Sequence, residues 1–295
     1  MSSLLTILSR FSFRLTLYGW VLLLPWLCLE TSAGNPANSA SGKSLDAALD
    51  RLAPQREDVP DLYVVGFAGD ASEAVFGNEV VYLSELFQQR FKAGDRIITL
   101  INSTGETKDR IAPEATPQNL SRTLSRIGEL MDPQQDVLLL FLTSHGLDNH
   151  ELHIKTRRRE EFRISPEDLR HMLDDAGIRN RVIVISACYS GGFIPALSDA
   201  RTLVITASRA DRSSFGCGTA SRVTYFGRAW LVEALNQTTD FISAYQLADE
   251  TIRRYEKQQR RRPSSPQIFI GDEIVPVLDR WQYSFQPGAP VPYPF

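Results

Sequence analysis

DVLLLFLTSHG (136–146) and RVIVISACYSGG (181–192) are two short apolar runs that each end in a reactive side chain, and their reading decides the fold. Val137 to Leu142 and Arg181 to Ser186 are continuous, rich in Val, Ile and Leu, and bounded by turn residues. That is the pattern of central parallel strands covered on both faces. Catalysts in such sheets sit where strands end at their carboxyl edge. His145 and Cys188 therefore stand as a base and a nucleophile at one edge, and thiolate attack assisted by imidazole is the commonest chemistry made from these two groups.

The order of the pair narrows the class. All four histidines, His145, His150, His153 and His171, precede Cys188. Papain-like peptidases, class I glutamine amidotransferases and α/β-hydrolases place their histidine after the nucleophile, so none of them fits. Ser186 to Ser190 has the small-x-Cys-x-small look of a nucleophile elbow, but no downstream histidine exists to serve it.

TSHG (143–146), ISACYSGGF (185–193), TLVITASRADRSSFGCG (202–218), TYFGRAW (224–230) and PQIFIG (266–271) occur in this order. In them the chain resembles the legumain-type (asparaginyl endopeptidase) cysteine peptidases of the caspase-like clan, especially their bacterial members. The resemblance covers roughly Leu62 to Ile274. It implies an α/β fold, a caspase-like three-layer α/β/α sandwich with a mainly parallel central sheet. It also implies a cysteine endopeptidase in which Cys188 forms a thioester and His145 acts first as general base and then as the acid for the leaving amine. The backbone N–H groups of Gly146 and Cys188 would form the oxyanion hole, acting on charge that exists only in the tetrahedral state. No third member of a triad is assignable, and the clan works with a dyad.

The same resemblance places Ser213, Ser214 and Phe215 on a segment that pairs with extended substrate by strand addition. The pocket for the side chain before the scissile bond would be formed by Ser186, Arg228 and the loop after the first strand. Here the chain departs from the asparagine-specific enzymes, which carry acids at the positions of Ser186 and Arg228 and an Asn-x-Arg motif where this chain has Asp70 to Phe76. Asparagine specificity is therefore not carried over, and a pocket with Arg228 suits an acidic or neutral polar side chain. The partner is a peptide or protein substrate, with no cofactor. Two alternatives stay open: a transpeptidase or transamidase using the same dyad, and a caspase-fold binding module without turnover.

His145, His150, His153 and Cys188 are also zinc ligand types. If Glu151 to Lys155 is extended, however, His150 and His153 face opposite ways, and no metal is expected. With 295 residues the chain can form one large α/β domain, and a net charge of −3 gives no reason to expect nucleic acid. The basic runs 157–159 and 260–262 are offset by Glu160, Glu161, Glu250 and Glu256 and read as solvated surface.

Arg10 and Arg14 precede the apolar stretch Leu15 to Leu29, followed by Thr31-Ser32-Ala33. Residues 1–33 thus read as a secretory signal, which implies export to the periplasm or cell envelope. An uncleaved anchor is the alternative and would be the chain's membrane contact. A polar leader is expected over 34–60, with one helix around Leu45 to Leu52, then the peptidase domain over 61–275, then a Pro-rich irregular tail over 276–295. Within the domain the periodicity predicts strands at 62–67, 96–101, 137–142, 181–186 and 202–206. Helices are predicted at 76–91, 117–131 and 165–176, with a long helical stretch over 225–258 broken near 238–240.

Overall fold

The computed structural model describes residues 44–102, 112–218 and 221–294. The expected signal segment, 1–33, lies outside them. Six strands make the central sheet: β1 (Leu62–Ala68), β2 (Ile97–Ile101), β3 (Val137–Thr143), β7 (Arg181–Ser186), β8 (Thr202–Thr206) and β9 (Gln267–Ile270). Their order is β2-β1-β3-β7-β8-β9, parallel up to β8, with β9 antiparallel at the edge.

Alternation along these strands builds two cores. Val64, Leu139, Phe141, Val184 and Ile205 face one side, where they meet α2 (Ala74–Gln89), α7 (Phe241–Gln258) and α8 (Ile274–Tyr283). Val65, Leu138, Leu140, Ile183 and Val204 face the other, against α1 (residues 44–49), α3 (Pro117–Leu130), α4 (Pro166–Asp175) and α5 (Ile194–Leu197). Both faces of β1, β3 and β7 are buried, which explains why these strands read as unbroken apolar runs. The result is the α/β/α sandwich that the resemblance implied.

Local signals account for the helix ends. Ser165 caps α4 through a full capping box with Asp168, Pro166 occupies the first turn, and Gly177 closes the helix at φ +68. The 225–258 stretch is broken where expected. A short helix, α6 (Tyr225–Gly227), passes into a π-helical turn, Arg228–Ala234, and Asp240 then caps α7 by accepting from Ile242 and Ser243.

The C-terminal stretch departs from expectation. Instead of an irregular tail from 276, the chain forms α8, which buries Ile274, Val277, Leu278 and Trp281. Pro276 is the third residue of that helix, where the backbone N–H has no intrahelical acceptor in any case, so proline removes no bond. The leader also joins the fold, because Leu45, Leu49 and Leu52 are buried in the second core.

A second, three-stranded sheet stands at the carboxyl edge of β3: β4 (His145–Gly146), β5 (Leu152–Lys155) and β6 (Glu161–Ile164). It is antiparallel, with His145 opposite His153 and His153 opposite Arg163. Leu152 and Ile154 point into the core while His153 and Lys155 are half-buried, as the period of two requires.

Candidate active site

β3 and β7 are in register through Thr143 and Ser186, so His145 and Cys188 each lie two residues beyond a paired position. The main chains behind them touch. A Cβ on Gly146 would overlap the carbonyl oxygen of Cys188 and lie 3.1 Å from its nitrogen, which only glycine permits. Tyr189, directly after the cysteine, is left-handed at φ 57 and ψ 14, and its N–H donates to the carbonyl of Arg212 at 2.7 Å. Gly191 N–H donates to Ser208 at 2.8 Å, and the missing side chain of Gly192 makes room for the His150 ring. The turn after Cys188 is therefore sharp and held on both sides.

Cys188 is a half-buried free thiol, and the N–H of Ser214 donates to its sulfur at 3.3 Å. The Ser214 hydroxyl and carbonyl lie 3.8 and 3.7 Å from the same atom. His145 packs edge-on against Phe76, with ring centroids 5.2 Å apart. A backbone donor at the sulfur and a half-buried imidazole on the neighbouring strand end suit attack by thiolate.

Beneath this pair lies a buried polar floor. Glu79 of α2 is fully buried, and its carboxyl accepts from the Thr143 hydroxyl at 2.7 Å and from the Thr224 N–H at 2.8 Å. The Thr224 hydroxyl lies 3.3 Å from that of Ser186 and accepts from Gly227 N–H at 2.8 Å, capping α6. Desolvation pushes the Glu79 carboxyl above the usual range, against the lowering effect of its Thr224 and Thr143 bonds. Glu79 and Thr224 together thus tie the strand end that leads to His145, the strand that leads to Cys188 and the helix that follows the 213–215 segment.

Residues 103–275 match the model of the peptidase C13 family. The chain belongs to the peptidase C13 family. It is a legumain-type cysteine endopeptidase. No curated protein sequence matches it. Among solved structures it is similar to caspase-1 from Spodoptera frugiperda, with 14% identity over 74% of this chain and 93% of that chain at a TM-score of 0.48.

In this C13 peptidase the residues read from sequence as substrate-binding are placed as follows. Ser214 touches the Cys188 sulfur, Ser213 beside it is exposed, and Phe215 packs on Tyr225 at 6.0 Å with the Arg261 guanidinium 5.5 Å from its ring centre. Ser186 is buried in the floor. Arg228 is 61% exposed, 3.4 Å from Glu233, and lines a cavity of about 750 Å³ with Tyr225, Tyr255 and Gln259. Cys217 is a free, half-buried thiol pushed up by burial and then by the neighbouring Cys188 sulfur.

Three features escaped the sequence reading. Glu79 sits on an apolar helix face, and only its failure to fit that stripe signals it. Thr224 is an ordinary helix cap. Asp70 and His153 are far apart in sequence, yet the buried Asp70 carboxylate lies 3.0 Å from His153 Nδ1 and accepts from Ser72 N–H at 2.7 Å. Among the described residues no cluster of three or more metal-ligating side chains occurs.

Proposed function

We infer that this C13 peptidase is an exported enzyme that hydrolyses peptide bonds through a Cys188 thioester with His145 as general base. His145 takes the thiol proton as sulfur attacks the carbonyl carbon, and returns it to the amine nitrogen as the C–N bond breaks. Water, deprotonated by the same imidazole, then releases the acid and restores the thiol. The N–H groups of Gly146 and Cys188 face the developing oxyanion. The observation that supports this reading is the direct packing of Gly146 on the backbone of Cys188, which sets the residue after His145 against the residue that carries the thiol.

Substrate pairing along Ser213 to Phe215 is supported by the bond from Ser214 N–H to the sulfur, since a chain lying there passes over the nucleophile. Ser186 and Arg228 are assigned to the pocket for the side chain before the scissile bond. Export rests on the pattern of residues 1–33, and placement among the bacterial members on the motif set. The test is mass-spectrometric profiling of a peptide library with wild type and Cys188→Ala. Cleaved products from wild type alone support hydrolysis, joined products point to transpeptidation, and equal products from both proteins contradict the thioester.

A further inference from the structure

Four features follow one another along the carboxyl edge in the order of the strands that carry them. The 213–215 segment follows β8, Cys188 follows β7, His145 follows β3, and Asp70 follows β1. In the proposed reaction His145 protonates the leaving amine, so the residues after the scissile bond must lie on its side of Cys188. The next surface in that direction is the small sheet β4–β5–β6. There His153 stands directly opposite His145, and residues directly opposite in an antiparallel pair share a face with Cβ atoms about 5 Å apart. An extended chain rises about 3.4 Å per residue, so His153 falls one or two residues past the scissile bond.

His153 is built to hold a fixed orientation. Its Nδ1–H donates to the buried Asp70 carboxylate at 3.0 Å, and Asp70 is itself locked by Ser72 N–H and by the main-chain bonds that tie Gly69 and Ala71 to Lys155. With Nδ1 committed to Asp70, Nε2 is the ring nitrogen left for a further partner. The other oxygen-rich neighbour is Glu161, 59% exposed and 3.7 Å from Nε2. Lys155 is the register partner of Glu161, and Arg163, opposite His153, is 3.7 Å from Glu151. Asp70, Glu161 and Glu151 thus outnumber Lys155 and Arg163 around the imidazole.

We propose that His153, oriented by Asp70, is a substrate-binding residue on the leaving side of the cleft, where with Glu161 it selects a hydrogen-bond donor or cation within two residues after the scissile bond. The same subsite would hold an incoming amine in a transpeptidation. The assignment rests on the peptidase reading above, and the test separates the two.

Three substrates share one sequence before the scissile bond. One ends in a fluorogenic amide with no residue beyond it; the others extend by three residues, with Lys or Asp second. The full-length wild type, His153→Phe and the paired variant Asp70→Asn/His153→Phe, which leaves no unpartnered buried carboxylate, are titrated with a thiol-directed probe so that rates are counted per reactive Cys188. The wild type should prefer the Lys peptide about five- to tenfold, the effect of one good hydrogen bond. Both variants should lose that preference through KM while the truncated amide changes less than about twofold. An equal fall on all three substrates would assign His153 a structural role and overturn the proposal. A preference for Asp, or a Lys preference that survives in both variants, would overturn it as well. A wild type that turns over none of the three would remove the peptidase reading and this proposal with it.

Discussion

The two ends of the central sheet differ in how their buried carboxyl groups are partnered, by cations at one and by neutral donors at the other. At the amino end, Asp61 takes Arg56 at 2.7 Å and Arg96 at 3.2 Å, while its N–H donates to Asp136 at 2.8 Å. Asp136 also accepts from Asp132 N–H at 2.8 Å, and burial pushes its carboxyl up to about 6. Each acceptor there has a donor. At the carboxyl end Glu79 has no cation among the described residues, His145 has a ring contact but no hydrogen-bond partner among them, and the Cys188 sulfur is half-exposed. The difference teaches where stability and chemistry divide in this fold. Paired carboxylates fix β1 against β3 at one end, and the half-buried Cys188 and His145 are left open at the other.

The largest effect that could break this division is at the dyad. Cys188→Ala and His145→Ala should each reduce turnover by roughly a thousandfold or more, with the double variant little worse, because the two act as a unit. Unfolding midpoints should hardly move. Gly146→Ala comes next: the methyl cannot fit against the Cys188 carbonyl, so the donors and the nucleophile shift apart and turnover should fall about a hundredfold. Steady-state assays on titrated enzyme check both, and a fully active Gly146→Ala would contradict the close packing.

Asp61→Ala should give the reverse picture. It leaves Arg96, whose side chain is only 12% exposed, without its carboxylate and should cost about 2 kcal/mol of stability, with turnover per titrated site unchanged. Denaturant unfolding paired with active-site titration distinguishes this from an effect on the site.

Sequence legibility follows the same division. Strands β1, β3, β7 and β8 were readable because burial on both faces leaves no polar residue inside the run. The α4 boundaries were readable because cap, proline and glycine signals are local. Helix α8 was not, since Pro276 reads as a breaker unless its place in the first turn is known. His145 and Cys188 carry motifs of their own. The contacts around them do not, because Glu79 with Thr143, and Asp70 with His153, become neighbours only through tertiary packing.

Smaller effects sharpen the contrast at Glu79 and Arg228. A carboxyl raised by burial contributes stability that is fully present below its ordinary value and is lost as pH rises through its raised folded value. Glu79→Gln should therefore flatten the fall of unfolding free energy across that window, measured by denaturation over a pH series. An unchanged slope would mean that another group carries it. Arg228→Glu, at a side chain 61% exposed, should change stability by less than about 0.5 kcal/mol and report only through cleavage preference before the scissile bond. An unchanged preference would place Arg228 outside the pocket.

The central claim, that the carboxyl edge assembles a Cys188 nucleophile driven by His145, is tested most directly by intact-protein mass, after acid quench, with a peptide carrying an electrophile that alkylates thiolates. The account predicts one added mass, mapped to Cys188 and not to Cys217, formed rapidly in wild type, slowly in His145→Ala and not at all in Cys188→Ala. Labelling at Cys217, or equal rates with and without His145, would contradict it.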